Sequence, residues 1–264
     1  MEEQVVSLYL PYPGREDRLV RVFVPAHKEG QRFPVIYMTD GQNLFDEESS
    51  TFGCWHTREA VRDEMKASGL GAVIVGVHNE DPWRPLELTP ATMGALYLPP
   101  EARERFLPSG EDFDAFLVHT VMPAVEARFP VLTGRENTAF CGSSCGGLMS
   151  FFTVMSHPEL YCAAGVLSPV FTLLYPEGLE RWIRARAKGP LPYLHVFAGG
   201  ADEMEREICL RARETCKVLE TLWPRDLLKE EFLPEAKHHE TSWEPVFRDF
   251  LHRFLTHSRI NTNG

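Results

Sequence analysis

The chain predicts a three-layer α/β sandwich built on a mostly parallel sheet of about eight strands, and three observations carry that expectation. Short, nearly continuous apolar runs such as Val35-Ile36-Tyr37-Met38 and Ala72 to Val77 suit parallel strands buried on both faces. Helix-like stretches separate these runs in regular alternation. A serine flanked by glycines, in Gly142-Ser143-Ser144-Cys145-Gly146-Gly147, stands where one such run gives way to a helix.

Taken in order, Val5 to Leu10 and Leu19 to Val24 read as two antiparallel strands joined by the turn-rich Pro11-Tyr12-Pro13-Gly14. The buried strands then follow at Val35 to Met38, Ala72 to Val77, Ala139 to Cys141, Ala163 to Leu167 and Leu194 to Phe197, with a last strand near Phe232. The spacing predicts helices over His56 to Ser68, Phe113 to Arg128, Gly147 to Ser156, Glu177 to Ala187, Glu203 to Leu222 and Glu244 to Leu255. Two irregular stretches, Gly41 to Trp55 and Asn79 to Gly110, follow strand ends, the edge at which open sheets bind ligands. The second is proline-rich and carries Trp83, Met93, Tyr97 and Phe106, which suits either a pocket wall or a structural loop packing its aromatics on the body.

A length of 264 residues with no linker composition fits one domain over 1–257, with the polar end Ser258 to Gly264 expected to be disordered. The net charge of -11 argues against a polyphosphate partner, so nucleic-acid binding is disfavoured. Met1-Glu2-Glu3-Gln4 is acidic and the apolar run after it ends at Pro11, which reads as neither signal peptide nor membrane span and suggests a cytoplasmic protein. The six cysteines lie mostly in apolar surroundings without zinc-like spacing, so they are expected to be reduced, and no metal or cofactor is called for.

The glycine-flanked serine has the G-x-S-x-G pattern of a nucleophile elbow, a turn so sharp that the residues two before and two after the nucleophile must be small. Gly142 and Gly146 meet that demand around Ser144; Cys145 is an alternative nucleophile in a register that loses the upstream glycine. Such a serine needs a base and an acid to orient it, in the order Ser, Asp or Glu, His. Asp202, at the tip of the turn Ala198-Gly199-Gly200-Ala201-Asp202, is the candidate acid, with Glu203 a close competitor and a helix N-cap its plainer role. The base should lie between the last strand and the last helix, which leaves His238 and His239. Backbone N–H groups of Cys145 and Gln42, the latter on Thr39-Asp40-Gly41-Gln42-Asn43, are the expected donors to a developing oxyanion.

These segments together resemble the putative-esterase family of α/β hydrolases, which includes feruloyl and acetylxylan esterases, enterochelin-type trilactone esterases, S-formylglutathione hydrolases and mycolyltransferases. The resemblance runs through Pro34 to Asp46, Val75-Gly76-Val77, Arg84 to Pro90, Gly142 to Leu148, His157-Pro158-Glu159, Leu167-Ser168-Pro169, Gly199 to Asp202 and His238 to Trp243. It implies the α/β-hydrolase fold, Ser144 as nucleophile, Asp202 as acid and His238 as base, the last because Glu240 and Trp243 fix a His, Glu two later, Trp five later register. It also implies pocket or loop-bracing roles for Trp55 and Arg84. The family often has methionine or leucine where Cys145 stands, and often glutamate as its acid.

The expected activity is that of a serine carboxylic-ester hydrolase working through an acyl-enzyme, on short-chain or aromatic acyl esters of carbohydrate-like alcohols. Trp55, Trp83, Tyr97, Phe171 and Tyr175 lie on segments that could face Ser144 and stack such groups. A siderophore trilactone esterase or an acyltransferase would use the same triad, and a carbohydrate-binding module on a hydrolase fold is the reading without catalysis. A small-molecule ester is the expected partner, with no nucleic acid or membrane, and homo-oligomerisation is left open.

Overall fold

The structure, a computed structural model, describes residues 1–262. Its strands are β1 (Gln4–Leu10), β2 (Arg18–Val24), β3 (Val35–Met38), β4 (Val73–Val77), β5 (Thr138–Ser143), β6 (Ala163–Leu167), β7 (Tyr193–Ala198) and β8 (Leu228–Phe232). Every residue of β3, β4, β5 and β6 is buried, which is why their sequences are largely apolar rather than alternating, with Thr138 and Ser143 at the ends of β5 the polar exceptions. The eight strands form one sheet in the order β1-β2-β4-β3-β5-β6-β7-β8. The pairings β1/β2 and β2/β4 are antiparallel and the rest parallel; the antiparallel first pair and the mostly parallel sheet are as the sequence predicts, while the β2/β4 pairing is not foreseen there.

The helices are α1 (Thr57–Ser68), α2 (Arg84–Glu87), α3 (Pro100–Arg103), α4 (Gly110–Phe116), α5 (Met122–Arg128), α6 (Cys145–Ser156), α7 (Pro176–Arg186), α8 (Glu203–Glu220) and α9 (Glu240–Thr262). Strand side chains alternate between two apolar layers: Val35 and Tyr37 of β3 enter one, Ile36 and Met38 the other. The first layer packs Phe113, Phe151, Trp182 and Ile208 from α4, α6, α7 and α8; the second packs Val61 of α1 with Phe247, Phe250 and Phe254 of α9.

The single helix expected over Phe113 to Arg128 is instead α4 and α5 joined by a π turn at Leu117–Val121. Pro123 sits in the first turn of α5, and its missing N–H accounts for the altered bonding just before it. The final helix starts at Glu240 rather than Glu244 and continues through Thr262, over most of the segment expected to be disordered; Asn263 and Gly264 lie outside the described residues.

The stretch from Asn79 to Gly110 is pinned to the body. Glu87 is fully buried and accepts hydrogen bonds from Arg18 at 2.7 and 2.9 Å and from Arg15 at 2.5 Å. Leu88 and Met93 enter the core, and Leu96 bridges to Leu174. A buried pair of this kind locates a loop because either charge left alone would be costly.

Behind the elbow helix, His157 ends α6 with its Nε2 at 2.7 Å from Asp114 Oδ2, while Asp114 Oδ1 accepts from Thr153 Oγ1 at 2.6 Å. That hydrogen bond, with the Asp114 charge, raises His157 above the ordinary histidine range. A group whose pKa is raised by folding stabilises the fold fully below its unfolded value and loses that contribution as pH rises through the folded one. His157→Gln should therefore cost more stability at about pH 5.5 than at about pH 8.5, either side of the ordinary histidine value. Urea denaturation at both pH values measures this, and equal losses would contradict it.

Candidate active site

The elbow begins where β5 stops. Ser144 has φ 61° and ψ -124°, and α6 starts at the next residue. This conformation is held on three sides: Ser144 N–H donates to Leu167 O at 2.9 Å, and its carbonyl accepts from Leu148 N at 3.1 Å and Val170 N at 3.3 Å. A Cβ on Gly142 would lie 2.5 Å from Gly146 O, and one on Gly146 only 2.1 Å from Thr39 Oγ1. Both flanking glycines are thus sterically required, and the register they fix centres on Ser144. Cys145 is the first residue of α6, so its N–H has no intrahelical partner. Burial raises its thiol pKa, against an opposing pull from Arg84.

A second turn faces this one. Asp40 follows β3 in a left-handed conformation, φ 56° and ψ 45°, and opens the 3-10 turn Gly41–Asn43. Gly41 passes so close to β4 that a Cβ would lie 2.5 Å from Gly76 O. Burial by itself would raise the Asp40 carboxyl, but Arg84 reaches it through Nε at 2.5 Å and Nη2 at 2.8 Å, and Asn79 adds a further hydrogen bond. The carboxyl consequently sits below its usual range. Gln42 lies second in the turn, where its N–H has no partner within the turn itself.

The acid that meets His238 is Glu205, not Asp202. Glu205 is fully buried and its Oε1 lies 2.7 Å from His238 Nδ1, while Oε2 accepts from Gly199 N at 2.9 Å. Asp202 is the N-cap of α8 and accepts from Glu205 N at 2.8 Å; Glu203 is exposed. The spacing Asp202-Glu203-Met204-Glu205 is that of a capping box, and it is the signal that could have drawn attention to Glu205. Here the glutamate turns inward to Gly199 and His238. His239 points elsewhere, its Nδ1 3.0 Å from Thr241 Oγ1. The His238 ring meets Trp243 edge-on with centroids 5.0 Å apart, and Trp243 Nε1 donates to Ser168 Oγ at 2.9 Å.

Ser144, His238, Gln42, Trp55 and Arg84 all line one cavity of about 320 Å³. Trp55 is nevertheless almost wholly buried, packed on Trp243 and Phe247, so only an edge reaches the hollow. Arg84 is committed to Asp40. Of the other aromatics expected near Ser144, Phe171 is buried against Phe151, Tyr97 and Tyr175 meet edge to face, and Trp83 lies under Arg15, all outside this lining. Phe52, which the sequence reading passed over, lines the cavity and is 72% exposed. A larger hollow of about 460 Å³ lies at the opposite sheet edge, beside Ala163 and Tyr193 at the starts of β6 and β7, away from Ser144 and His238.

Residues 14–245 match the Putative esterase family, and the chain belongs to it. The sequence is 30% identical over 169 residues to a siderophore triacetylfusarinine C esterase of Aspergillus fumigatus, an alignment covering 59% of this chain and 52% of that protein. The chain thus spans about half the length of the curated relatives it matches. The BES protein from Bacillus cereus superposes with a TM-score of 0.72 at 18% identity, covering 96% of this chain and 94% of that one. A ferulic acid esterase from Anaeromyces mucronatus superposes at 0.70 with 19% identity, covering 97% and 91%. The sandwich is accordingly an α/β-hydrolase-like fold. Among the described residues no helix is long and apolar enough to cross a membrane.

The raised Cys145 thiol leads to a direct chemical expectation. Iodoacetamide at neutral pH should alkylate Cys145 in the folded protein more slowly than a free cysteine, because the thiolate is the reactive form. Peptide mapping of the time course measures the rate, and alkylation as fast as free cysteine would contradict the burial argument.

Proposed function

We propose that this protein is a serine carboxylic-ester hydrolase in which Ser144 is the nucleophile, His238 the general base and Glu205 the residue that orients the base. The observation that carries the reading is the pairing of a strained Ser144 with a His238 already held by buried Glu205 at 2.7 Å, both at one cavity. With Nδ1–H donated to Glu205, the Nε2 lone pair of His238 is available to take the Ser144 proton. Ser144 Oγ then bonds to the ester carbonyl carbon, and the carbonyl oxygen gains the negative charge. The N–H groups of Cys145 and Gln42 are suited to receive that oxyanion, since neither is spent on its own turn. Collapse expels the alcohol, which takes the proton from His238 and leaves an acyl-enzyme. Water, deprotonated by the same histidine, releases the acid and restores Ser144.

We infer short or compact aromatic acyl groups on polar alcohols as substrates. The cavity is at the small end of ligand sites, and polar side chains such as Asn79, Asp81, Thr51 and His239 share its lining with Phe52 and Pro85. The likeness to a siderophore esterase favours a second reading, an ester within a siderophore, served by the same residues. A panel of acetyl-sugar esters, feruloyl esters and triacetylfusarinine C separates the two.

Two outcomes check the proposal. Glu205→Gln should lower kcat by about a hundredfold or more, as loss of an orienting carboxylate does, while Asp202→Asn, which still caps α8, stays close to wild type. A larger loss from Asp202→Asn would return the role to that residue. For substrates, kcat/KM for acetyl or feruloyl esters should exceed that for palmitoyl esters by at least about tenfold, roughly 1.4 kcal/mol in transition-state binding. Equal rates, or activation at a lipid interface, would remove the substrate inference and leave the chemistry.

A further inference from the structure

The oxyanion turn and the His238 segment come from distant parts of the chain and belong to no common strand pairing, yet catalysis needs them fixed relative to one another. A buried hydrogen bond spans them. Asn43 and Glu240 are each only 4% exposed, and Asn43 Nδ2 donates to Glu240 Oε1 at 3.0 Å across 197 residues of sequence. Asn43 adjoins Gln42, and Glu240 lies two residues beyond His238 at the start of α9.

Every polar group of Asn43 is engaged. Its N–H donates to Asp40 O at 2.9 Å and its carbonyl accepts from Trp55 N at 2.8 Å. Its Oδ1 accepts from Thr51 N at 2.9 Å, which leaves Nδ2 for Glu240. The amide therefore ties together the oxyanion turn, the loop that carries Phe52 and the histidine segment. Gly53 fits into the same junction, where a Cβ would lie 3.2 Å from His239 Cε1 and 3.4 Å from Glu240 Cβ.

We propose that Asn43 and Glu240 form a positioning clamp that sets the Gln42 N–H and the His238 ring at working separation; this rests on the serine-hydrolase reading of the site. Neither side chain touches the reacting atoms in this account. Their task is geometric, and it matters because a misplacement of about 1 Å between catalytic groups can cost about a hundredfold in rate. An asparagine suits the post because it donates to a carboxylate on one side while accepting from a backbone N–H on the other.

Exchange of the two functional groups tests the clamp. Asn43→Asp sets two carboxylates against each other, keeps the acceptor for Thr51 N and removes the donor to Glu240. It should lower kcat for p-nitrophenyl acetate by at least about thirtyfold, with KM changing less than about threefold. Glu240→Gln alone keeps an acceptor for Asn43 Nδ2 and should stay within about fivefold of wild type. The double variant Asn43→Asp with Glu240→Gln restores the hydrogen bond with donor and acceptor exchanged, and its kcat should return to within about fivefold of wild type. A folded Asn43→Asp variant with unchanged kcat, or a folded double variant no faster than Asn43→Asp, overturns the clamp. Should Asn43→Asp fail to fold, Glu240→Ala supplies the same reading: a fall in kcat with KM held supports the clamp, and an unchanged kcat overturns it. A wild-type protein without esterase activity, or a Ser144→Ala variant that keeps it, would sink the hydrolase reading; an active enzyme indifferent to these substitutions sinks the clamp alone.

Discussion

The rest of the site depends on one strained residue. Ser144 adopts φ 61° and ψ -124°, a backbone state that costs a non-glycine residue about 1–3 kcal/mol and persists only where its surroundings over-determine it. The surroundings here are β6 and the turn after β3. Leu167 O takes the Ser144 N–H, and Thr39 leaves no room for a side chain at position 146. The strain has a geometric result: the serine stands clear at the sheet edge while α6 begins immediately beneath it, its first N–H groups unspent.

The parallel sheet gathers the remaining groups at that edge. Strands β3, β5, β6 and β7 run the same way, so the segments that follow them emerge side by side. Asp40, Ser144, Ser168 and the glycine turn at Gly199 come from these four ends. Among the described residues, three of the four non-glycine residues with positive φ, Asp40, Ser144 and Ser168, sit there, so most of this backbone strain lies where the candidate chemistry does. Ser168 in turn receives Trp243, against which the His238 ring packs. Charge is kept under control nearby, since Arg84 neutralises Asp40 beside Ser144 and leaves a firm turn rather than a free cation.

Sequence patterns located the strands and the elbow because those features are written in local chemistry. Apolar runs of three to six residues and a pair of glycines around Ser144 report burial and steric demand without reference to anything distant. The acid was less legible. Asp202 occupies the loop tip where an acid is expected, yet its carboxylate is consumed by Glu205 N. Glu205, one turn into α8, reaches His238 because its side chain folds back under Gly199, a direction set by tertiary packing and visible in sequence only as capping-box spacing. The aromatics of the proline-rich stretch were equally hard to place, since Tyr97 and Trp83 are satisfied by Tyr175 and Arg15, partners far along the chain.

The central claim is that the strained serine itself carries the acyl group. Rapid-quench mass spectrometry during turnover of p-nitrophenyl acetate, followed by peptide mapping, addresses it directly. The account predicts an acetyl adduct on Ser144 that forms within the first turnover and disappears as substrate is exhausted. An adduct on Cys145, or steady turnover with no covalent species even when deacylation is slowed by low temperature, would contradict it.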